Sequence, residues 1–326
     1  MPTRRWTTLL ATAALALGVG ACGGDDNDSG SGASGGGDTA AQQELTGTIR
    51  IDGSSTVFPF AEAAGELFNE EQPGVKVTVG QSGTGGGFEK FCAGETDVSN
   101  ASRPIKDDEE VPVCEKNSVA FSEVQVANDG IAVATNKGLT VDCMTTDQLK
   151  ELWNKGSKVQ SLADIDPKLP DAKLSLYGPG TDSGTFDFFT DEINGEEGAT
   201  REDYEASEDD NQLVTGVTGD EGGLGYFGFS YAEANIDNLN LVGVDSGSGC
   251  VKPSKETIQS GEYKPLSRPL FMYPSAKSIK RPEVKAFMDF VLENYEVIAD
   301  TAKIVPMTGE QATTAAADLK KAESAS

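Results

Sequence analysis

Hydroxyls and glycines gather at three places in this chain where a β-rich run gives way to a helical pattern. They are Asp52–Thr56 (DGSST), Gly80–Gly87 (GQSGTGGG) and Gly178–Thr185 (GPGTDSGT). Each offers side-chain O–H and backbone N–H groups at a helix start, where first-turn N–H groups lack intrahelical acceptors and the dipole favours negative charge. The candidate donors are Ser55, Thr56 and the N–H of Val57 in the first loop, then Ser82 and Thr84 in the second. Asp182, Ser183, Gly184 and Thr185 are those of the third. Ser102-Arg103, within Asp97–Pro104, adds a cation able to fork onto two oxygens. Such a set suits capture of a tetrahedral oxyanion. The plainer roles are helix capping for the hydroxyls, a flexible turn for the glycines and a surface ion pair for Arg103.

The same residues do not make a hydrolase. The chain has no histidine, so a Ser–His–Asp arrangement lacks its base, and no SxxK spacing stands beside Ser183. The glycine loops have neither the Gly-Lys-Ser/Thr of a P-loop nor the GxGxxG spacing of a dinucleotide site. Without histidine or a CxxC pair, neither a metal centre nor a cofactor is expected.

The elements that must position these loops follow from periodicity. Thr48–Asp52 and Val75–Val79 read as strands, and Val57, Ala61, Ala64, Leu67 and Phe68 recur at helical spacing until Pro73-Gly74. A helix through Phe88, Phe91 and Cys92 is expected after the second loop, and a short strand within Asp97–Pro104. Val124–Thr135 reads as a long apolar strand, Leu149–Trp153 as helix, Lys173–Tyr177 as strand and Phe186–Ile193 as a helical face. Leu224–Phe229 reads as a glycine-interrupted strand or bend, Phe271–Tyr273 as strand, and Val284–Tyr295 as an amphipathic helix. The strand-like run Lys303–Pro306 then leads into a polar, alanine-rich tail. Alternating strands and helices argue for parallel sheets covered on both faces, with ligands beyond the carboxyl ends of the strands.

The first residues read as a secretory leader. Arg4 and Arg5 precede a short apolar run, and Val19-Gly20-Ala21-Cys22 looks like a lipobox in which Cys22 is lipidated. The Gly/Ser/Asp tract that follows reads as a flexible tether from membrane to domain. Of the five cysteines, Cys92, Cys114, Cys143 and Cys250 remain for an exported domain, and three pairings are open. Cys92–Cys114 and Cys143–Cys250 is favoured, because 92 and 114 flank one short excursion. Net charge is −27, from 53 acidic and 26 basic residues. Nucleic acid is therefore excluded as a partner, and an anion must be held by local dipoles and a few fixed cations rather than by long-range attraction.

Four motifs in order, DGSSTVFPFAEA, GQSGTGGGFEKF, DVSNASRPI and YGPGTDSGTFDFF, with GLGYFGFSYA later, resemble the phosphate-binding subunit of the Pst-type ABC transporter. The resemblance spans Thr48–Gln311. It implies an α/β, two-domain periplasmic-binding-protein fold of type II, with mixed sheets flanked by helices and the ligand in the interdomain cleft. The expected division is a leader at 1–21, a tether at 22–43, one domain from 44–125 plus 268–318, and a second at 126–267.

The function implied is that of a monomeric, membrane-anchored extracytoplasmic receptor without enzymatic activity, which passes inorganic phosphate to an ABC permease. By motif, Ser55, Thr56, Val57, Ser82, Thr84, Ser102, Arg103, Asp182, Ser183, Gly184 and Thr185 would surround the anion. Two departures stand out. Ser102 occupies the place of an aspartate that accepts the phosphate proton in well-known members, and no arginine precedes Ser183. Arg103 is then the expected cation, and Asp182 or Asp52 the expected proton acceptor. Another oxyanion such as sulfate, or a secreted phosphatase on the same scaffold, are the alternative readings.

Overall fold

The computed structural model describes residues 44–324. The chain runs β1 (Gly47–Gly53), α1 (Phe58–Glu71), β2 (Val75–Val79), α2 (Gly83–Cys92), β3 (Val98–Ala101) and α3 (Val111–Lys116) into the long strand β4 (Val124–Asn136). There follow β5 (Cys143–Thr145), α4 (Thr146–Trp153), β6 (Ser175–Gly178), α5 (Gly184–Phe189), β7 (Glu205–Ala206), α6 (Asp210–Gly219), β8 (Gly223–Gly228), α7 (Phe229–Ala234) and β9 (Leu239–Asp245). Last come β10 (Cys250–Val251), α8 (Lys255–Gln259), β11 (Ser267–Pro274), α9 (Pro282–Glu293), α10 (Tyr295–Thr301) and α11 (Gly309–Ser324).

The sheet is mixed. β1 pairs in parallel with β2 and β3, whereas β11 lies antiparallel between β3 and β4. β4 is the pivot of the topology. Its first half, up to Gly130, pairs with β11, and from Ile131 onward it pairs with β8 and β9. Two apolar cores form around these two halves. One packs Ile49, Phe60, Phe68, Met272 and Phe287; the other packs Val133, Trp153, Phe189, Tyr226 and Phe227, with Trp153 edge-on to Phe189 and Tyr226. β4 is buried along almost its whole length, and the apolar residues on either side of Asn128-Asp129-Gly130 suit a strand covered on both faces.

Three expectations need correction. Gly83–Gly87 is not a loop before α2 but its first turns. Gly87 packs so close to β1 that a Cβ there would approach the Asp52 carbonyl oxygen to 3.1 Å. Lys303–Pro306 forms no strand, only a bridge between Val305 and Asn128. The alanine-rich tail is a helix, α11, whose Ala315 and Leu319 are buried in the first core. Its stripe of small residues is too weakly apolar to register as a helical face.

The disulfides join Cys92 to Cys114 and Cys143 to Cys250, with sequence separations of 22 and 107. Because the second closes the longer loop, Cys143→Ala/Cys250→Ala is expected to lower stability by roughly 4–5 kcal/mol in the chain-entropy picture. Denaturant unfolding of the double variant checks this, and a cost no larger than that of removing the short bridge would contradict it.

Candidate functional site

The first and second loops and the Ser102 segment meet Gly184 around a cavity of about 670 Å³. β1 ends at Gly53, and Ser54 donates its N–H to the carbonyl of Asn100 (3.0 Å), which ties the first loop to β3. Ser55 and Thr56 line the cavity. Val57 does not: its side chain is wholly buried and its N–H points at Ser54 Oγ (3.4 Å). Thr84 Oγ1 and Ser102 Oγ share a hydrogen bond (3.0 Å), and Thr84 Oγ1 also accepts the Ser102 N–H (3.2 Å). Behind them, the buried Tyr273 hydroxyl accepts the Ile105 N–H (3.0 Å) and donates to Glu123, which holds the Ser102–Ile105 segment in place.

The third loop faces these from the second core. Ser183 caps α5, its Oγ accepting the Thr185 N–H (3.2 Å). Gly184 is pressed against the first loop, and a Cβ there would stand 2.7 Å from Ser55 Oγ. Asp182, expected as a proton acceptor, is not part of the cavity wall. It is exposed, and its N–H bonds to Glu208 (3.3 Å). Asp52 is also displaced from that role. It accepts from Lys90 (2.7 Å) and from Ser82, and these bonds outweigh burial and hold its carboxyl below the ordinary value.

The cations differ from expectation. Arg103 borders the cavity, but its guanidinium forks onto Glu110 (2.9 and 2.7 Å), which neutralises it locally. A second guanidinium, Arg268, stands deeper. Its Nη2 donates to Thr56 Oγ1 (2.8 Å) and to the Gly184 carbonyl (3.4 Å), its Nε to Asp129 (3.2 Å), and its plane lies 3.7 Å from the Phe188 ring centre. Burial pulls its pKa down, opposed by Asp129, Glu192 and Asp187, and a guanidinium in such company stays charged. Arg268 was missed at the sequence level. The available signal was the tripeptide Ser267-Arg268-Pro269, which repeats Ser102-Arg103-Pro104.

Carboxylates complete the wall: Asp187, Asp191, Glu192 and Glu197. Burial, reinforced by Glu197, pushes Asp187 up to about 6, against the pull of Arg268. Burial, with Asp191, raises Glu192. A carboxyl raised from 3.8 to about 6 binds its proton more tightly in the folded state, so it destabilises that state as pH rises through this window. Asp187→Asn is therefore expected to stabilise the protein near neutral pH by about 1 kcal/mol, after discounting for solvent screening of a half-exposed group. The gain should shrink as pH is lowered through about 6. Thermal unfolding across this range checks it, and a gain independent of pH would contradict it.

This arrangement offers neutral O–H donors, two guanidinium groups and carboxylate acceptors around one cavity, and no histidine to move protons. It can hold an oxyanion and accept a proton from it. Residues 38–294 match the family model of a PBP superfamily domain. The chain is 42% identical over 281 residues to the protein SphX of Synechococcus elongatus, covering 85% of this chain and 82% of that one. It is 38% identical over 304 residues to the phosphate-binding protein PstS of Staphylococcus epidermidis, covering 92% and 87%. A solved structure described as a possible phosphate binding protein from Planctomyces limnophilus superposes with a TM-score of 0.80 at 42% identity, covering 86% of this chain and 99% of that one.

Proposed function

The chain belongs to the PBP superfamily and, within it, to the PstS phosphate-binding proteins, and from that footing we propose that it captures inorganic phosphate outside the cytoplasm and delivers it to an ABC importer. The observation that carries this reading is the convergence of Thr56, Gly184 and Asp129 on the guanidinium of Arg268. A half-buried, oriented cation beside hydroxyl donors binds an anion through short-range bonds, which a net charge of −27 does not cancel.

Binding proceeds by hinge closure. The halves of β4 on either side of Gly130–Ile131 and the start of β11 link the two cores, and a Gly184 that leaves no room for a Cβ against Ser55 and Thr56 supports a closing loop at this point. Closure places Arg268, Thr56, Ser55 and the Thr84–Ser102 pair around the phosphate, with Arg103 at the rim. Ser183 and Thr185 support the closing loop, while Asp182 and Val57 act through its shape and the packing beneath it.

The acidic wall is the basis for selectivity. A monoprotonated phosphate has a hydrogen to donate to a carboxylate, and sulfate has none, so a cleft that presents Asp187 and Glu192 penalises sulfate with an unpaired, anion-facing acceptor. We assign Asp187 as the proton acceptor that Ser102 cannot be. The protein is a receptor and not a phosphatase: an aryl phosphate should be released no faster in its presence than in buffer, and turnover would contradict the reading. Cys22 lies outside the described residues. Its lipidation would tether the receptor to the membrane, and a mature N-terminus at Cys22 carrying acyl mass is the result that checks this.

A further inference from the structure

The opposite end of the first core carries a second cavity, of about 710 Å³, that the phosphate reading does not use. Asp97 stands at the start of β3 and Ser102 just beyond its end, so the cavity and the phosphate cleft are separated by the length of that strand, roughly 16 Å. In a chain with twice as many acids as bases, this wall collects Arg50, Lys277, Lys280 and Arg281 against the single lining acid Asp97. Asp97 is itself saturated: it accepts from the Arg50 N–H (2.9 Å), Ser278 Oγ (2.9 Å) and Arg281 Nη1 (2.8 Å). Arg281 is further held by Glu283 (2.8 Å). Lys277 and Lys280 have no acidic partner among the described residues and are exposed, and Arg50 reaches Asp97 only at 3.6 Å. Thr96 also lines the cavity and is nine-tenths buried, with its Oγ1 closed off from solvent.

We propose that this cavity binds a small soluble polyanion, with Lys277, Lys280 and Arg50 contacting its charged groups. The volume leaves room for a ligand that carries several charged groups. The cationic heads are spread around the rim on flexible stems, which suits several separated charges and not one. The site rests on none of the cleft assignments.

The test is calorimetric titration of the full chain with pyrophosphate, and separately with citrate, while excess inorganic phosphate is present throughout. The expected result is a saturable signal of one ligand per chain, weakened about tenfold or more in Lys277→Ala/Lys280→Ala and weakened by added salt. Preference for pyrophosphate or citrate tells phosphate groups from carboxylates as the recognised charge. Both lysines are exposed and remote from the cleft, so the double variant should fold normally and keep its inorganic phosphate affinity. Absence of a signal with both probes, or a signal that the double variant leaves unchanged, overturns the proposal. Loss of inorganic phosphate binding in the unsubstituted chain would instead strike the cleft reading and leave this test intact.

Discussion

Arg268→Ala is expected to weaken phosphate binding by about 3–5 kcal/mol, the range seen when one member of a buried charged set is removed. Three effects add. The phosphate loses its deepest cation, Thr56 Oγ1 loses the donor that orients it, and Asp129 is left as an unpaired carboxylate behind the site. The last of these also costs stability, so affinity must be compared with a variant that keeps the charge. Arg268→Lys retains it but not the fork, and cannot reach Asp129 and Thr56 together in the planar geometry of a guanidinium. It should fold and still bind less tightly than the parent. Arg103→Ala should cost less than Arg268→Ala, because Glu110 already neutralises Arg103. If calorimetry ranks the two arginines the other way, the cation has been misassigned.

Gly184→Val is expected to abolish high-affinity binding while leaving the fold intact. A Cβ at Gly184 would stand 2.7 Å from Ser55 Oγ and 2.8 Å from the Thr56 N–H nitrogen, closer than any side chain tolerates. The clash lies across the cleft and not within either core, so the molecule can relieve it by opening. Opening withdraws the third loop from the anion and exposes the remaining donors to water, where each contributes about 0.5–1.5 kcal/mol instead of acting in a water-poor site. Thermal unfolding of the variant should match the parent in the absence of phosphate and fail to rise when phosphate is added. A phosphate-induced stabilisation equal to the parent's would show that closure on Gly184 is not part of binding.

Much of this site is legible from local sequence because its donors sit where strands end and helices begin. DGSST, the SRP after β3 and DSGT are each contiguous, and each carries its own turn and cap signals. Arg268 was illegible for a different reason. It precedes a stretch that reads as a short strand at Phe271–Tyr273, whereas pairing with β4 extends β11 back to Ser267 and carries the arginine to the cleft. Strand pairing between distant segments decides that, and the repeated Ser-Arg-Pro tripeptide is the one local hint of it. Asp187 was hidden similarly: within FDFF it is one polar residue among aromatics, and its role depends on Arg268 and Glu197 being brought beside it. The tail helix α11 escaped because its burial rests on Ala315 and Leu319 and on Gln311 bonding to Asn128, contacts too sparse to leave a periodic apolar face. β4, by contrast, was foreshadowed by apolar residues on both sides of Asn128-Asp129-Gly130, since a strand buried on both faces has little polar face to show.

The most direct test of phosphate capture is a paired calorimetric titration of the protein with inorganic phosphate and with sulfate, carried out above and below the raised value of about 6 at Asp187. Phosphate is expected to bind at one site per chain. Sulfate should be rejected where Asp187 is ionised and should gain ground where it is protonated, because a protonated carboxyl donates to either anion. Equal affinity for the two anions above that value, or no phosphate binding at all, would contradict the reading.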